Sequence, residues 1–174
     1  MGKFLTVLLL TCAIGGGALM YYQQVYAYYD EVTPNGKTDV QITSLITGAP
    51  EPILYDEFRA IDANSSPIRY RACFHTTSSQ AMLTETYVLD DEAVPLTAPG
   101  WFNCFDAKDI GAAMEDGSAL AFLGTANIEY GIDRMVAIHE DGRGWAWDQI
   151  NRCGEIVFDG NPAPADCPAP PEGY

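Results

Sequence analysis

Chemistry in this chain would fall to two histidines, five cysteines and an excess of carboxylates, 24 Asp and Glu against 9 Lys and Arg. His75 stands in FHTTSS, just ahead of Ser78 and Ser79. A base beside a hydroxyl is the arrangement that activates a serine nucleophile, yet so short a stretch of loop rarely brings the two into that geometry. His75 therefore reads as a polar residue at a strand end, and a hydrolase of unrecognised type is kept only as a second alternative. His139 stands in IHEDGRG beside Glu140 and Asp141. Together they suggest half of a cation site, but neighbours on a strand point to opposite faces, which favours a solvated hairpin end. Asp141-Gly142 likewise matches a fragment of a calcium loop without its remaining acidic positions.

Trp145 and Trp147 lie two apart, on one face of their strand. With Tyr130 they would make an aromatic surface for a sugar or peptide, or else pack in the core. Tyr130, Trp145, Trp147, His139 and Asp141 are thus the candidates for a binding surface. Arg69 and Arg71 also share a face, a spacing suited to gripping a carboxylate or to offsetting neighbouring acids. The sequence contains no G-x-G-x-x-G, G-x-x-x-x-G-K-[ST], G-x-S-x-G or H-E-x-x-H, so no phosphate cradle, serine elbow or zinc motif points to an enzyme. No catalytic residue, metal ligand or cofactor is assigned. A net charge of −15 argues against nucleic acid, whose phosphates demand clustered cations, and against docking on anionic lipid.

Four cysteines, Cys73, Cys104, Cys153 and Cys167, form an even set downstream of an apolar opening segment that holds the fifth, Cys12. An oxidising compartment would pair the four into two disulfides, with three possible connectivities. Cys73–Cys104 and Cys153–Cys167 are preferred because each closes a local loop. A zinc reading lacks C-x-x-C or H-x₃-H spacing.

The elements that must position these residues begin with FLTVLLLTCAIGGGALMYY, Phe4 to Tyr22, which holds no charged residue. As a helix it would span about 28 Å, matching a bilayer core of about 30 Å. Lys3 precedes it and Asp30 and Glu31 follow, so the positive-inside rule places the N-terminus in the cytoplasm and the rest outside. The apolar run exceeds the roughly 7–15 residues of a cleaved signal, which favours an uncleaved anchor; cleavage near Ala27 is the alternative. Ala13 and Gly17 form a small-xxx-small pair suited to helix self-association.

Residues 1–29 are accordingly read as a signal-anchor helix, 30–39 as a polar linker, 40–160 as an α+β domain and 161–174 as a proline-rich tail. Within the domain, strands are expected at Val40–Ile46, Phe58–Asp62, Pro67–Phe74, Ser118–Gly124, Asp133–Glu140, Trp145–Ile150 and Glu155–Phe158. Helices are expected from Ser78 or Ser79 to about Tyr87, and after Asp106 with a stop at Gly117. WFNCF, Trp101 to Phe105, should be buried. The strands do not alternate with helices, so the fold class is α+β: a transmembrane helix, then a small, mostly antiparallel sheet with one or two short helices.

PILYDEFRAIDANSSPIRYRACF, WFNCFDA and YGIDRMVAIHEDGRGWAWDQINRCG resemble a membrane-anchored family of alphaproteobacteria, the Rhodobacter–Roseobacter group in particular, over nearly the whole chain. That resemblance implies an inner-membrane anchor and a periplasmic domain but supplies no activity. Members sometimes carry the label histidine kinase, for which this sequence has neither ATP-binding glycine boxes nor a phosphoacceptor helix. The expected function is non-catalytic, a membrane-anchored binding or accessory role with a membrane or periplasmic protein partner. A ligand- or metal-sensing module is the alternative.

Overall fold

The computed structural model describes residues 2–171. The chain divides into two compact units, Met1–Asp30 and Glu31–Tyr174. The first is the helix α1, Gly2–Val25, none of whose residues is buried. Its apolar run continues through Gly15-Gly16-Gly17 without a break. The hydroxyls of Thr6 and Thr11 donate to the carbonyls of Gly2 and Val7 at 3.0 and 2.9 Å, so neither would present an unmet donor to hydrocarbon. At its C-terminal end Tyr22 and Tyr26 stack at 5.9 Å, and Tyr21 meets Tyr26 edge-on at 6.2 Å.

The second unit is α+β. Its main sheet contains β1 (Asp30–Glu31), β4 (Asp56–Asp62), β5 (Arg71–His75), β6 (Ala119–Glu129), β7 (Ile132–His139) and β8 (Arg143–Ile150), in the order β1-β4-β5-β8-β7-β6. The pairs β4–β5, β5–β8, β8–β7 and β7–β6 are antiparallel. A two-stranded sheet of β2 (Gln41–Thr43) and β3 (Pro50–Pro52) lies apart from it. Three helices complete the unit: α2 (Gln80–Thr86), α3 (Ala107–Glu115) and α4 (Arg152–Phe158).

Strand alternation gives the main sheet two apolar faces. On one, Ala60, Ala72, Phe74, Phe122, Val136, Ile138 and Ala146 pack with Ile42 of β2 and Leu83 of α2. The segment 87–90 stitches this layer together: Val88 donates to Thr43, and Leu123 to Val88, both at 2.9 Å. The opposite face carries Cys73, Met135, Ala137, Trp145 and Trp147, all buried, and is covered by Phe102, Phe105 and Ile110 from the segment entering α3. Asp106 caps that helix, accepting from the amides of Lys108 and Asp109. Gly117, in the left-handed region at φ 81°, follows its end.

The expected strand at Val40–Ile46 shrinks to Gln41–Thr43, because Gly48, also left-handed, turns the chain back so that Pro50–Pro52 pairs with it. The sequence predicts no strand at 50–52. Proline is tolerated there because the strand is an edge. Pro67–Tyr70 belongs to the loop ahead of β5 rather than to the strand. β6 runs well beyond Gly124, to Glu129.

The expected last strand, Glu155–Phe158, is instead helix α4. Asn151 caps it through the Gly154 amide at 2.9 Å, and so short an apolar run cannot by itself distinguish strand from helix. The helix also lies against the β6–β7 turn at Gly154, where a β-carbon would stand 2.9 Å from the Gly131 Cα. Beyond it the tail lies along the surface. Tyr130 donates to the Pro168 carbonyl at 3.1 Å, and Arg152 pairs with Asp166 at 2.5 Å.

Candidate functional site

Register places a line of functional side chains on one face of the sheet. Arg59 of β4 opposes Cys73 of β5, which opposes Trp145 of β8; one step along, His75 opposes Arg143. Cys73 is disulfide-bonded to Cys104, with their Cα atoms 6.2 Å apart. The bridge fixes the 101–106 segment over this face, and Trp145 adds a second tie by donating to the Cys104 carbonyl at 3.0 Å. Where the segment ends, it leaves a cleft of about 500 Å³ lined by Phe58, Arg59, His75, Arg143, Trp145 and the disulfide, with Glu57 at the rim.

Both arginines at the cleft are exposed and each lies over an aromatic ring. The Arg59 guanidinium is 5.6 Å from the centroid of Phe102, that of Arg143 5.5 Å from Trp145. Arg143 also meets Asp141 at 2.8 Å. Arg59 has no carboxylate at ion-pair distance among the described residues, although Asp56 and Glu57 precede it. Asp56 lies 3.5 Å from the His75 ring instead. Glu57 sits at a bulge in the β4–β5 pairing, in the left-handed region at φ 51°, a conformation that costs a non-glycine residue about 1–3 kcal/mol. The β7–β8 turn closes the far wall. Gly142 has φ 93°, and a β-carbon there would stand 2.5 Å from the Thr76 carbonyl and 2.8 Å from His75, so only glycine fits.

A family model described as a family of unknown function, DUF6446, matches residues 40–168. The chain belongs to this family. No curated protein and no solved structure matches the chain. The span shared with DUF6446 takes in the whole cleft and all four domain cysteines but leaves out α1.

Within that span the candidates suggested by sequence separate. Trp147 is fully buried and Trp145 nearly so, and Phe105 meets Trp147 edge-on at 6.2 Å. The pair is therefore core beneath the 101–106 segment rather than an exposed aromatic platform. Tyr130 lies in the β6–β7 turn, holding the tail. His139 and Asp141 do meet, at 2.9 Å, because the turn curls Asp141 back over the ring. The other Asp141 oxygen is taken by Arg143, and a guanidinium so close opposes a cation. Hydrogen bonding to Arg143 holds the Asp141 carboxyl below the ordinary range, against the opposing effect of burial. No group of three His, Cys, Asp or Glu side chains able to hold a metal ion occurs among the described residues.

His75 stays apart from both serines in hydrogen-bonding role: Ser79 caps α2 and the Ser78 amide donates to Thr76. Arg71 is buried, donating to the carbonyls of Leu96, Ile68, Tyr70 and Thr97, so these hydrogen bonds take up its guanidinium rather than a carboxylate gripped beside Arg69 or an ion pair with a neighbouring acid. Cys153 and Cys167 are bonded with Cα atoms 5.8 Å apart, tying the tail to α4. Cys12 is a free thiol in α1. Sequence reasoning passed over Arg59, Phe102 and Arg143. The available signal was scarcity: with nine basic residues against 24 acidic ones, each cation merits an account of its partner.

A second cleft of about 490 Å³ lies between the end of β8, the start of α4 and the 90–96 loop, with Asp90, Glu92, Asp133 and Glu155 among its walls. Burial raises the pKa of Asp90 there, against a hydrogen bond from the Glu92 amide that lowers it. Asp133 is engaged by the Asn127 amide and the Asn151 side chain at 2.7 and 2.8 Å, so this wall is built into the hairpin.

Proposed function

We propose that this DUF6446 chain is an exported binding protein, held at the membrane by α1 with its N-terminus in the cytoplasm and its domain in the periplasm. The domain does no chemistry of its own; it binds a ligand or supports a protein partner there. The observation that carries the reading is the cysteine arrangement, in which all four cysteines downstream of the helix are paired. Stable structural pairs are a feature of oxidising compartments. The charge pattern agrees, with Lys3 before the apolar run and Asp30 and Glu31 after it.

Intact mass of the membrane-extracted chain, measured without reductant and after alkylation, tests the reading. One alkylated cysteine, two bridges and a retained N-terminus are expected. A soluble cytosolic chain with four alkylatable domain thiols overturns it. Loss of the residues up to and including Ala27 would leave the export intact and replace the anchor by a cleaved signal. A ligand-sensing role is the second reading, favoured by the arginine-lined cleft.

A further inference from the structure

We infer that the cleft between β4, β5 and β8 binds a small organic monocarboxylate, its anionic end between Arg59 and Arg143 and its apolar body against Phe58 and the Cys73–Cys104 bridge. The inference rests on the reading of the domain as a binding module and names the ligand class for it.

Four observations converge on this site. The first is the unspent charge of Arg59: exposed, lying on Phe102, and without a carboxylate partner among the described residues in a chain whose net charge is −15. The second is placement. Arg59 and Arg143 are two strands apart and offset by two residues, which sets their Cα atoms roughly 12 Å apart across the sheet. Both arginines line the cleft, and a carboxylate between them is a shape the planar guanidinium fork matches. The third is rigidity. Each stem is held by its ring contact, one wall is fixed by a disulfide, and His75 in the other is backed by a turn at Gly142 that admits no side chain. The fourth is size, about 500 Å³, within the range of small-molecule sites.

Charge decides between a monoanion and a dianion. Arg59 and Arg143 face Asp141, which binds Arg143, and Glu57 at the rim. Asp141 offsets Arg143, and Glu57 and Asp56 add negative charge around the cleft, so among the described residues the cleft's one cation without a carboxylate at ion-pair distance is Arg59. A monocarboxylate matches that single charge, whereas a phosphate dianion brings a second negative charge that nothing nearby offsets. His75 contributes through its face to the wall, its ring nitrogen being turned to Asp56.

The test uses the full chain in mild detergent, titrated calorimetrically with acetate, hexanoate, phenylacetate and indole-3-acetate, with phenylacetamide and inorganic sulfate as controls. Saturable binding of at least one of the larger carboxylates is expected, with at least tenfold weaker binding of phenylacetamide and of sulfate. Arg59→Met and Arg143→Met should each weaken the carboxylate at least tenfold, and Arg59→Lys less. Both side chains are exposed, so these variants should keep the wild-type unfolding midpoint. The inference is overturned if none of the carboxylates saturates below about 10 mM, a binding energy under roughly 3 kcal/mol. It is overturned equally if sulfate binds as well as they do, or if Arg59→Met binds unchanged. A partner that still co-purifies in those cases leaves the binding-protein reading standing without this site.

Discussion

Arg134→Met should destabilise the domain by an amount that grows with pH. Asp148 is 2% exposed and its carboxylate takes a fork from Arg134, Nε to Oδ1 at 2.7 Å and Nη2 to Oδ2 at 3.0 Å. The same guanidinium lies 3.5 Å above the centroid of Tyr70. Burial raises the Asp148 pKa, and the hydrogen bonds and charge of Arg134 pull it back. Burial would likewise lower the Arg134 pKa, but Asp148 raises it. Methionine keeps much of the stem's packing and removes the charge, leaving Asp148 to become protonated or to stay charged without a counter-ion.

Protonating a carboxyl of ordinary pKa near 3.9 costs about 4 kcal/mol at pH 7 and about 1.5 kcal/mol at pH 5. Neutralisation is open to the group at any pH, so these figures cap the charge penalty, and the pH 7 value agrees with the roughly 3–5 kcal/mol found on breaking buried pairs. The sign is fixed by linkage. In the variant the folded state holds the Asp148 proton more tightly than the unfolded chain does, so stability falls as pH rises from the ordinary carboxylate range towards the raised folded value. Urea unfolding of the detergent-solubilised chain, followed by tryptophan fluorescence, should show losses of about 3–4 kcal/mol at pH 7 and about 1–2 kcal/mol at pH 5. Arg134→Met combined with Asp148→Leu should recover most of the loss. An equal loss at the two pH values would refute the argument, because it would show that packing rather than charge carries the effect.

Three further outcomes follow from the same structure. Asp39 accepts from the amides of Asn35 and Gly36 at 2.9 and 2.7 Å and from the Tyr55 hydroxyl; burial opposes, but these bonds hold its carboxyl below the ordinary range. Its stabilisation is therefore present at neutral pH and lost as pH falls through the lowered folded value, and Asp39→Asn should cost about 1–2 kcal/mol at pH 7 while flattening that part of an acid-unfolding curve. Gly154→Ala ought to add about 1 kcal/mol of helix propensity, yet its β-carbon would overlap the Gly131 carbonyl; a net loss of about 1–3 kcal/mol in a urea titration is expected. Replacing Cys153 and Cys167 together by serine should remove about 3 kcal/mol by the loop-entropy relation and open residues 161–171 to limited proteolysis, with the β5–β8 core still resistant.

The helices α2 and α3 were legible because their capping signal is local. Ser79 and Asp106 mark the starts of α2 and α3 by side chains that accept from first-turn amides, and Gly117 marks the end of α3 by its left-handed backbone. The antiparallel hairpin β7–β8 was legible for the same reason, its turn residues standing between two alternating runs. What escaped was decided at a distance. Pro50–Pro52 becomes a strand because Gln41–Thr43 is there to pair with it. Arg152–Phe158 becomes a helix with Asn151 as its cap and Gly131 making room beside it. The cleft was the least legible part, since Arg59, Cys73 and Trp145 are separated by many residues in sequence and meet only through strand register.

The fate of the cations makes that cleft more than a gap in the packing. Arg71 and Arg134 are drawn into the body of the domain, one stapling the 96–97 loop through carbonyls, the other neutralising Asp148. Arg152 ties down the tail through Asp166. The burial of Arg71 and Arg134 is matched by partners of fixed geometry, as burial of charge requires, whereas the Arg152–Asp166 pair stays exposed. Arg143 is matched in part, sharing Asp141 and Trp145. Arg59 is matched by a ring alone. A lone exposed guanidinium costs a soluble domain little, so stability gives no reason to keep carboxylates from it. Lys37 and Lys108 likewise have no carboxylate at ion-pair distance among the described residues; what sets Arg59 apart is its place at the cleft, next to a bulge at Glu57 that holds backbone strain. Strain of this kind persists where the surrounding structure over-determines it. Here the surroundings are the disulfide, the Gly142 turn and two ring-stacked arginines, all converging on the same few hundred cubic ångströms.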